Sequence, residues 1–378
     1  LECMFYSHDV GSLPSLVKPL VGSTMPAGVV QLHTEEQAIQ LVALARTHNI
    51  PLVPRGKSSS GYGGVMPTQG GLVVDFAWMN EILEINVEAM TATVQPGVVW
   101  ERMDKELNKQ GLALRTYPSS APSSTVAGWL AQGGVGYGCY EYGAFRENVV
   151  SARVVLPNGE VQTFEGDELD LISDAEGITG IISQVTVRIQ PLEDVDVVAL
   201  ACPDAHEAQK LMQTVIDADL PIWSMIFINP RMAEMKNRAP LMEHYGHPVE
   251  ERVLLPAAYI LTLAFRAQDS QTVREALPEL IKPCEAEILS DRIAHHEWEH
   301  RFKLMVVKRL GPSLVPAEVI TPLSSLGDVM TEIERKVDQP VVKEGVIIRE
   351  GVDGEPEAVI LGFIPSDQRK FSYNFVFG

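Results

Sequence analysis

The sequence is poor in cysteine. Its four, Cys3, Cys139, Cys202 and Cys284, are widely scattered over 378 residues. That spacing excludes a disulfide framework and a C-x-x-C cluster or metal site, and makes a reducing cytoplasm the expected compartment. Positive charge is scarce as well: 30 Lys and Arg against 50 Asp and Glu leave a formal charge of −20. So acidic a chain repels phosphate backbones and anionic lipid heads, which argues against a nucleic-acid partner and against direct membrane insertion. No apolar run reaches the roughly 18 residues needed to span a bilayer. Low-complexity tracts, short internal repeats and a signal-peptide pattern are missing too. The chain starts at Leu1 rather than at a methionine and closes on the apolar "NFVFG", so both ends are expected to be cut.

What remains is a globular composition, 46% hydrophobic and 21% charged, with a length that favours two domains and allows three. An anion bound by such an acidic chain must sit in a local nest of backbone N–H groups with a few Arg or Lys nearby. One stretch is built for that. "PRGKSSSGYGG", residues 54–64, holds four glycines, three serines, an arginine and a lysine. It is not a Walker loop: Gly56-Lys57-Ser58 has the right ending, but Pro51 stands where the first glycine is needed. It is not the dinucleotide fingerprint either, because Gly61-Tyr62-Gly63 is followed by Met66 at the third glycine's place.

Around this loop the pattern alternates between helix and strand. "TEEQAIQLVALARTHNI" (34–50) has a Thr cap, early acids and apolar residues at helical spacing. "PLVPRG" is a short strand entering the loop. "GGLVVDFAWM" and "ILEINVEAMTATVQPGV" read as strands parted by Asn80-Glu81, with Thr91 and Thr93 alternating against Ala92 and Val94. "VWERMDKELNKQG" (99–111) is an amphipathic helix stopped by Gly111. "VVSARVVLPNGEVQTF" is a hairpin turning at Asn158-Gly159, and "VTVRIQPL" is a strand. The character changes near residue 192. Strand-helix-strand successions then follow: "VDVVALACP", "DAHEAQKLMQTVIDADLP" and "IWSMIFINP", later "AAYILTLAFRA", "SQTVREALPELI" and "CEAEILS". They predict an antiparallel sheet with helices on one face, an α+β plate of ferredoxin-like kind.

Four segments in order carry a resemblance: the loop at 54–64, "PSSAPSSTVAGWLAQGG" (118–134), "YGAFRENV" (142–149) and "SDAEGITGII" (173–182). Together they resemble the FAD-binding domain of the p-cresol methylhydroxylase and vanillyl-alcohol oxidase flavoproteins, in the branch of D-lactate dehydrogenases and glycolate oxidase flavin subunits. The likeness is dense over residues 20–192 and looser beyond. It implies a two-subdomain FAD-binding domain over 1–192 and a ferredoxin-like α+β substrate or cap domain over 193–378.

The resemblance places Pro54, Arg55, Gly56, Lys57, Ser58, Ser59, Ser60 and Gly61 around the FAD diphosphate. Pyrophosphate is well held by successive backbone N–H groups, and Gly56, Gly61, Gly63 and Gly64 permit the positive φ such a nest uses. Pro118, Ser119, Ser120, Ser124, Thr125, Gly128, Gln132, Gly133 and Gly134 match the stretch along the flavin and ribityl chain. Glu176, Gly177, Gly180 and Ile182 match a segment near the adenosine half, although Ser173-Asp174-Ala175 depart from its pattern. Tyr142 and Arg146 belong to the segment beyond the flavin; Arg146 serves a substrate or a structural ion pair. Relatives that bind FAD covalently through the first loop have a histidine where this chain has Ser59, so non-covalent FAD is expected.

"HEWEH", 296–300, satisfies H-E-x-x-H and on a helix would put His296 and His300 on one face with Glu297 between them. No third ligand follows at metzincin spacing, and Glu318 is the nearest candidate of another type. No metal is expected here; a polar helix face or residues near a substrate carboxylate fit better. Arg301, Lys303, Lys308 and Arg309 are the available cations for that carboxylate, with Arg301 the nominated one. The family's histidine-bearing catalytic segment does not occur before Gly378, so no catalytic residue is assigned. The resemblance implies oxidation of a small 2-hydroxy acid by hydride transfer to flavin. The chain has no iron–sulfur cysteine pattern of its own, and the resemblance implies that electrons leave through an iron–sulfur or electron-transfer flavoprotein partner. The alternative is a flavin-bearing relay or structural subunit of a larger redox complex.

Overall fold

The computed structural model describes residues 2–11, 23–241, 243–244, 247–248, 251–310 and 313–366. The helix start expected in "DQRKFSYNFVFG" lies outside them. The described residues form two compact units, one from those within 2–136 and 144–192, the other from those within 137–143 and 193–366.

In the first unit, β1 (Gly28–Gln31), β2 (Leu52–Arg55) and β3 (Leu72–Asp75) form a parallel sheet in the order β1–β3–β2. Helix α1 (Glu35–His48) connects the first two strands. Its first turn is capped from both directions: Thr34 Oγ1 accepts from Gln37 N at 3.3 Å, and Gln37 Oε1 accepts from His33 N at 2.8 Å. It ends at Asn49, whose φ of 52° is left-handed. The apolar face of α1, Ala38, Leu41 and Val42, packs on Val74 and Phe76 and also on Val155 and Ile181. The last two belong to a second, antiparallel sheet, so α1 glues the two sheets together. Burying each such side chain contributes roughly 1.5–3 kcal/mol.

That second sheet runs β4 (Ile82–Asn86), β5 (Thr91–Val94), β9 (Ile181–Pro191), β7 (Val149–Val155), β8 (Val161–Glu165), with β6 (Leu112–Leu114) also paired to β9. The hairpin at Asn158-Gly159 forms as the sequence predicts, with Gly159 at φ 89°. The stretch 82–98 differs: it is a β4–β5 hairpin rather than one strand. Asn86 Oδ1 accepts from Ala89 N at 2.9 Å, and Met90 turns the chain at φ 52°. Thr91 and Thr93 are half-buried while Ala92 and Val94 are buried, the expected alternation. Three short helices complete the first half of the chain: α2 (Trp100–Asn108), stopped by left-handed Gly111, α3 (Val126–Ala131) and α4 (Cys139–Tyr142).

The second unit holds, among the described residues, a seven-stranded antiparallel sheet. Its strands are β10 (Val195–Cys202), β11 (Ser224–Ile228), β12 (Tyr259–Arg266), β13 (Glu287–Ile288), β14 (Ser313–Pro322), β15 (Val341–Ile348) and β16 (Glu357–Ser366). Their order is β13–β10–β12–β11–β15–β16–β14. With α5 (Ala205–Asp217) joining β10 to β11 and α7 (Ser270–Leu280) preceding β13, the first four strands have the β-α-β-β-α-β ferredoxin-like succession, and three further strands widen it. Asp204 caps α5 by accepting from His206 N and Glu207 N. "CEAEILS" shrinks to the two residues of β13. Along β11, Met225 and Phe227 point into the main core; so do Leu261, Leu263 and Phe265 of β12. Helices α5, α7 and α9 (Leu326–Lys336) cover that core. Two more helices, α6 (Pro230–Arg238) and α8 (Asp291–Glu299), add nothing to it.

Candidate cofactor site

The loop at 54–64 and the segments 118–134 and 173–182 converge within the first unit, and 142–149 joins them through Phe145, whose N donates to Gly134 O at 2.9 Å. The loop leaving β2 meets 118–134 at Gly56, where a Cβ would sit 2.4 Å from Thr125 Oγ1. It meets 173–182 at Gly64, where a Cβ would sit 2.1 Å from Glu176 Oε2. The segments 118–134 and 173–182 are stapled to each other. Glu176 N donates to Ala131 O at 2.8 Å, Asp174 N to Leu130 O at 3.3 Å, and Gln132 Nε2 reaches both Glu176 oxygens at 3.3 and 3.5 Å. Gly177 lies against the ring of Pro54, and Gly133 lies against Asp174. Gly180 and Ile182 serve packing, the first close against Val154 and Val155, the second a buried β9 residue paired with Val154.

Below the second segment, Trp100, Trp129 and Phe145 form an aromatic cluster with centroids 4.7–5.2 Å apart, and Gly134 rests on the Trp129 ring. The segment is pinned to the start of α2 through Trp100 N on Ser124 O and Val126 N on Val98 O. Its hydroxyls are partly committed: Ser124 Oγ donates to Ser120 O at 3.0 Å, and Thr125 Oγ1 accepts from Gly128 N at 3.3 Å. Pro118 O and Ser120 O hold the turn between them, by accepting from Ala121 N and from Ser123 N and Ser124 N. Ser119 lies in the same turn.

The decisive feature is in the first loop. Among the described residues, none of the backbone N–H groups of Lys57, Ser58, Ser59, Ser60 and Gly61 has an acceptor in the chain. Five consecutive uncommitted donors on a half-buried loop at the carboxyl end of a parallel strand are the donor set a diphosphate requires, so the residues present fit the FAD diphosphate. The conformation is not the expected one, however. Of the glycines there, only Gly63 has positive φ (88°), and the other left-handed residue is Ser58 (48°). Gly56 and Gly64 are glycines because Thr125 and Glu176 approach them, which spacing alone does not reveal. Lys57 is exposed and lines an open cleft of about 630 Å³ with Asn80, Arg102 and Lys105.

Other nominated residues go elsewhere. Arg55 turns its guanidinium away from the loop's N–H groups, toward residues 5–8. Arg146 is held by carboxylates, with Asp170 at 2.6 Å, Glu147 at 2.9 Å and Asp167 at 3.7 Å, and Asp170 foremost keeps its guanidinium more basic than usual. Tyr142 belongs to the second unit, where its hydroxyl accepts from Arg266 at 2.8 Å; Arg266 also pairs with Glu141 and Glu193. It is therefore not among the groups the first unit brings together.

In the second unit, the Arg301 guanidinium lies over two rings, its Cζ 4.2 Å from the Trp298 centroid and 4.4 Å from that of Phe302, and donates to Trp298 O at 2.7 Å. Tyr137 and Trp223 meet Trp298 edge-on. The H-E-x-x-H residues are close, the His296 and His300 rings 4.2 Å apart and tilted by 31°, but Glu297 is occupied. It forms an ion pair with Lys236 at 2.5 Å, both side chains under a tenth exposed, and it faces His296 Nδ1 at 3.1 Å. Burial works against its charge, yet Lys236 and His296 outweigh that and hold its pKa below the ordinary value. Among the described residues no group of three His, Cys, Asp or Glu is arranged to hold a metal. No helix among them is long and apolar enough to cross a membrane.

Residues 26–165 match the family model described as a FAD binding domain, and residues 192–347 match that of the C-terminal domain of FAD linked oxidases. The glycolate oxidase subunit GlcD of Bacillus subtilis is 27% identical over 82% of this chain and 68% of its own length. A mitochondrial cytochrome-type D-lactate dehydrogenase of Arabidopsis thaliana is 25% identical over 92% of this chain and 62% of its own. The chain thus spans about two thirds of the length of these relatives. In fold it matches an alkyldihydroxyacetonephosphate synthase (TM-score 0.75, 18% identity, 99% of this chain and 73% of that one). It also matches p-cresol methylhydroxylase with substrate bound (TM-score 0.73, 14% identity, 99% and 80%). With both family models in order along it, the chain belongs to the FAD-linked oxidase family: it is a FAD-dependent oxidoreductase whose cofactor is FAD.

Proposed function

We propose that this protein oxidises a small 2-hydroxy acid and hands the electrons to an iron–sulfur or electron-transfer flavoprotein partner. Residues 1–192 carry the cofactor, and residues 193–378 carry the substrate contacts. The observation that carries the cofactor placement is the run of free N–H groups from Lys57 to Gly61. These take the diphosphate, while the close passes at Gly56 and Gly64 fix the loop against the two segments that line the rest of FAD. Ser59 offers no imidazole for a covalent bond, so the flavin dissociates intact.

When bound, FAD supplies the acceptor for a hydride from the alcohol carbon. The chain's own task is to orient the acid. Arg301 suits it: the Trp298 and Phe302 rings pack against the guanidinium, and its planar fork reads a carboxylate bidentately. Arg146, already spent on Asp170 and Glu147, is not part of this proposal. The 2-hydroxy-acid class is supported by the names of the GlcD and D-lactate dehydrogenase relatives. The test is an anaerobic screen of D- and L-2-hydroxy acids for bleaching of the oxidised flavin. Bleaching by a small member, with the KM raised by Arg301→Met and flavin content unchanged, supports the proposal. A flavin that dithionite reduces but no 2-hydroxy acid bleaches contradicts it.

A further inference from the structure

We infer that residues 5–11 form a strap that positions the cofactor loop, fastened by Arg55 and Asp9. This deepens the FAD reading and rests on it. Arg55 is only 8% exposed, and its guanidinium is spent on the strap and the loop rather than offered to an anion. One nitrogen donates to Tyr6 O at 3.4 Å and His8 O at 3.0 Å; the other donates to Phe5 O at 3.2 Å and Ser58 Oγ at 2.6 Å. The group lies 5.2 Å over the Tyr6 ring, and the Tyr6 hydroxyl donates to Asp75 Oδ2 at 2.8 Å at the end of β3. Asp9, 9% exposed, fastens the other end. Its Oδ2 accepts from Gly63 N at 2.8 Å and its Oδ1 from Gly11 N at 2.7 Å, while Val10 N donates to Ser60 O at 3.3 Å.

The pattern of these bonds is informative. The strap grips the loop by the Arg55 side chain, by the Ser60 carbonyl and by Gly63 N, and Arg55 in turn holds Ser58 Oγ. It uses none of the five N–H groups from Lys57 to Gly61. Five N–H groups without acceptors on a half-buried loop are unfavourable until an anion arrives, and Ser58 sits in a left-handed conformation that a non-glycine residue rarely adopts. The strap holds that conformation in advance, so less ordering is left for FAD to bring about. If it lifts, the buried Arg55 guanidinium loses three of its four acceptors, which the loop cannot replace. Strap docking and FAD binding therefore favour each other, and by linkage the effect is reciprocal.

The test uses the purified holoprotein and its Asp9→Ala, Asp9→Asn and Arg55→Lys variants. Hydrogen exchange of segments 5–11 and 56–61 is read with FAD bound and after its removal, and FAD affinity is read by flavin fluorescence on dilution. FAD should slow exchange in both segments together. Asp9→Ala should weaken FAD about tenfold, the scale of one charge-assisted hydrogen bond. Asp9→Asn, which keeps an acceptor for Gly63 N, should recover part of that loss. Arg55→Lys, lacking the fork, should resemble Asp9→Ala; if it does not fold, the Asp9 pair still decides. Protection of 56–61 with 5–11 unaffected, or wild-type affinity in Asp9→Ala, overturns the strap and leaves the FAD site standing. FAD that leaves 56–61 unprotected overturns both.

Discussion

Gly64 and Glu176 lie so close that a methyl group on the glycine would stand 2.1 Å from a carboxylate oxygen of the glutamate. Gly56 and Thr125 show the same relationship at 2.4 Å, and there the consequences differ. The Glu176 carboxylate is the far end of a flexible side chain and can swing toward solvent. Thr125 is 2% exposed, β-branched, and its Oγ1 caps α3.

Gly56→Ala should therefore empty the protein of FAD while Gly64→Ala keeps most of it. The ratio of flavin to protein absorbance of the purified variants decides. Pairing Gly56→Ala with Thr125→Ala removes the clashing oxygen and should restore part of the flavin, at a cost of about 1 kcal/mol for the lost cap. Equal loss in both single variants would contradict the steric account.

Lys57→Ala should weaken FAD only a few-fold, because an exposed cation beside a bound anion contributes about 1 kcal/mol or less and fades with salt. Gly63→Val should abolish binding, since φ is 88° there and a Cβ would meet Met66. Fluorescence titration at low and high salt separates the two. A Lys57 effect as large as that of Gly63→Val would mean the charge, not the backbone, holds the anion.

Lys236→Met should destabilise the second unit by about 3–5 kcal/mol, the cost of leaving Glu297 buried without its partner. Replacing His296 and His300 by alanine should change neither zinc content nor flavin content. Denaturant melts and metal analysis check the two statements. A stoichiometric zinc lost from the double variant would turn H-E-x-x-H into a metal site after all.

Asp196 makes a prediction about acid. The Arg274 hydrogen bond foremost, with help from Ser270 and Val197 N and against burial, pulls its pKa down to about 2. A depressed carboxylate contributes stability that is complete above its unfolded pKa and is lost as pH falls from about 4 toward 2. Asp196→Asn should cost on the order of 1–2 kcal/mol at neutral pH, a gap that closes near pH 2. Urea melts across that range check it, and a gap that does not change with pH would mean that the Asp196 pKa is not depressed in the folded protein.

Much of the fold is legible in the sequence because local chemistry decides it. Thr34 and Gln37 announce the start of α1, Asn158-Gly159 the β7–β8 turn, and the alternation of β11 and β12 one buried face. The hairpin at Asn86–Met90 is missed because its turn is made by an ordinary methionine at positive φ. The three converging loops are readable through glycines and small residues, but not the reason for each glycine. Gly56 and Gly64 look like sources of flexibility and are clearances for Thr125 and Glu176. Asp9 is missed entirely: it precedes Gly63 by more than fifty positions, and a lone aspartate carries no local signal. Arg55 is found for the wrong contact, since nothing near it in the sequence shows that residues 5–8 supply its acceptors.

The proposed diphosphate site is the backbone from Lys57 to Gly61. The most direct measurement is a titration of apoprotein with FAD, FMN and riboflavin, followed by quenching of flavin fluorescence. FAD should bind far more tightly than FMN and riboflavin, because only FAD carries a diphosphate for the five N–H groups to hold. Heating the loaded protein should release intact FAD. Equal affinity for FAD and FMN would contradict the claim.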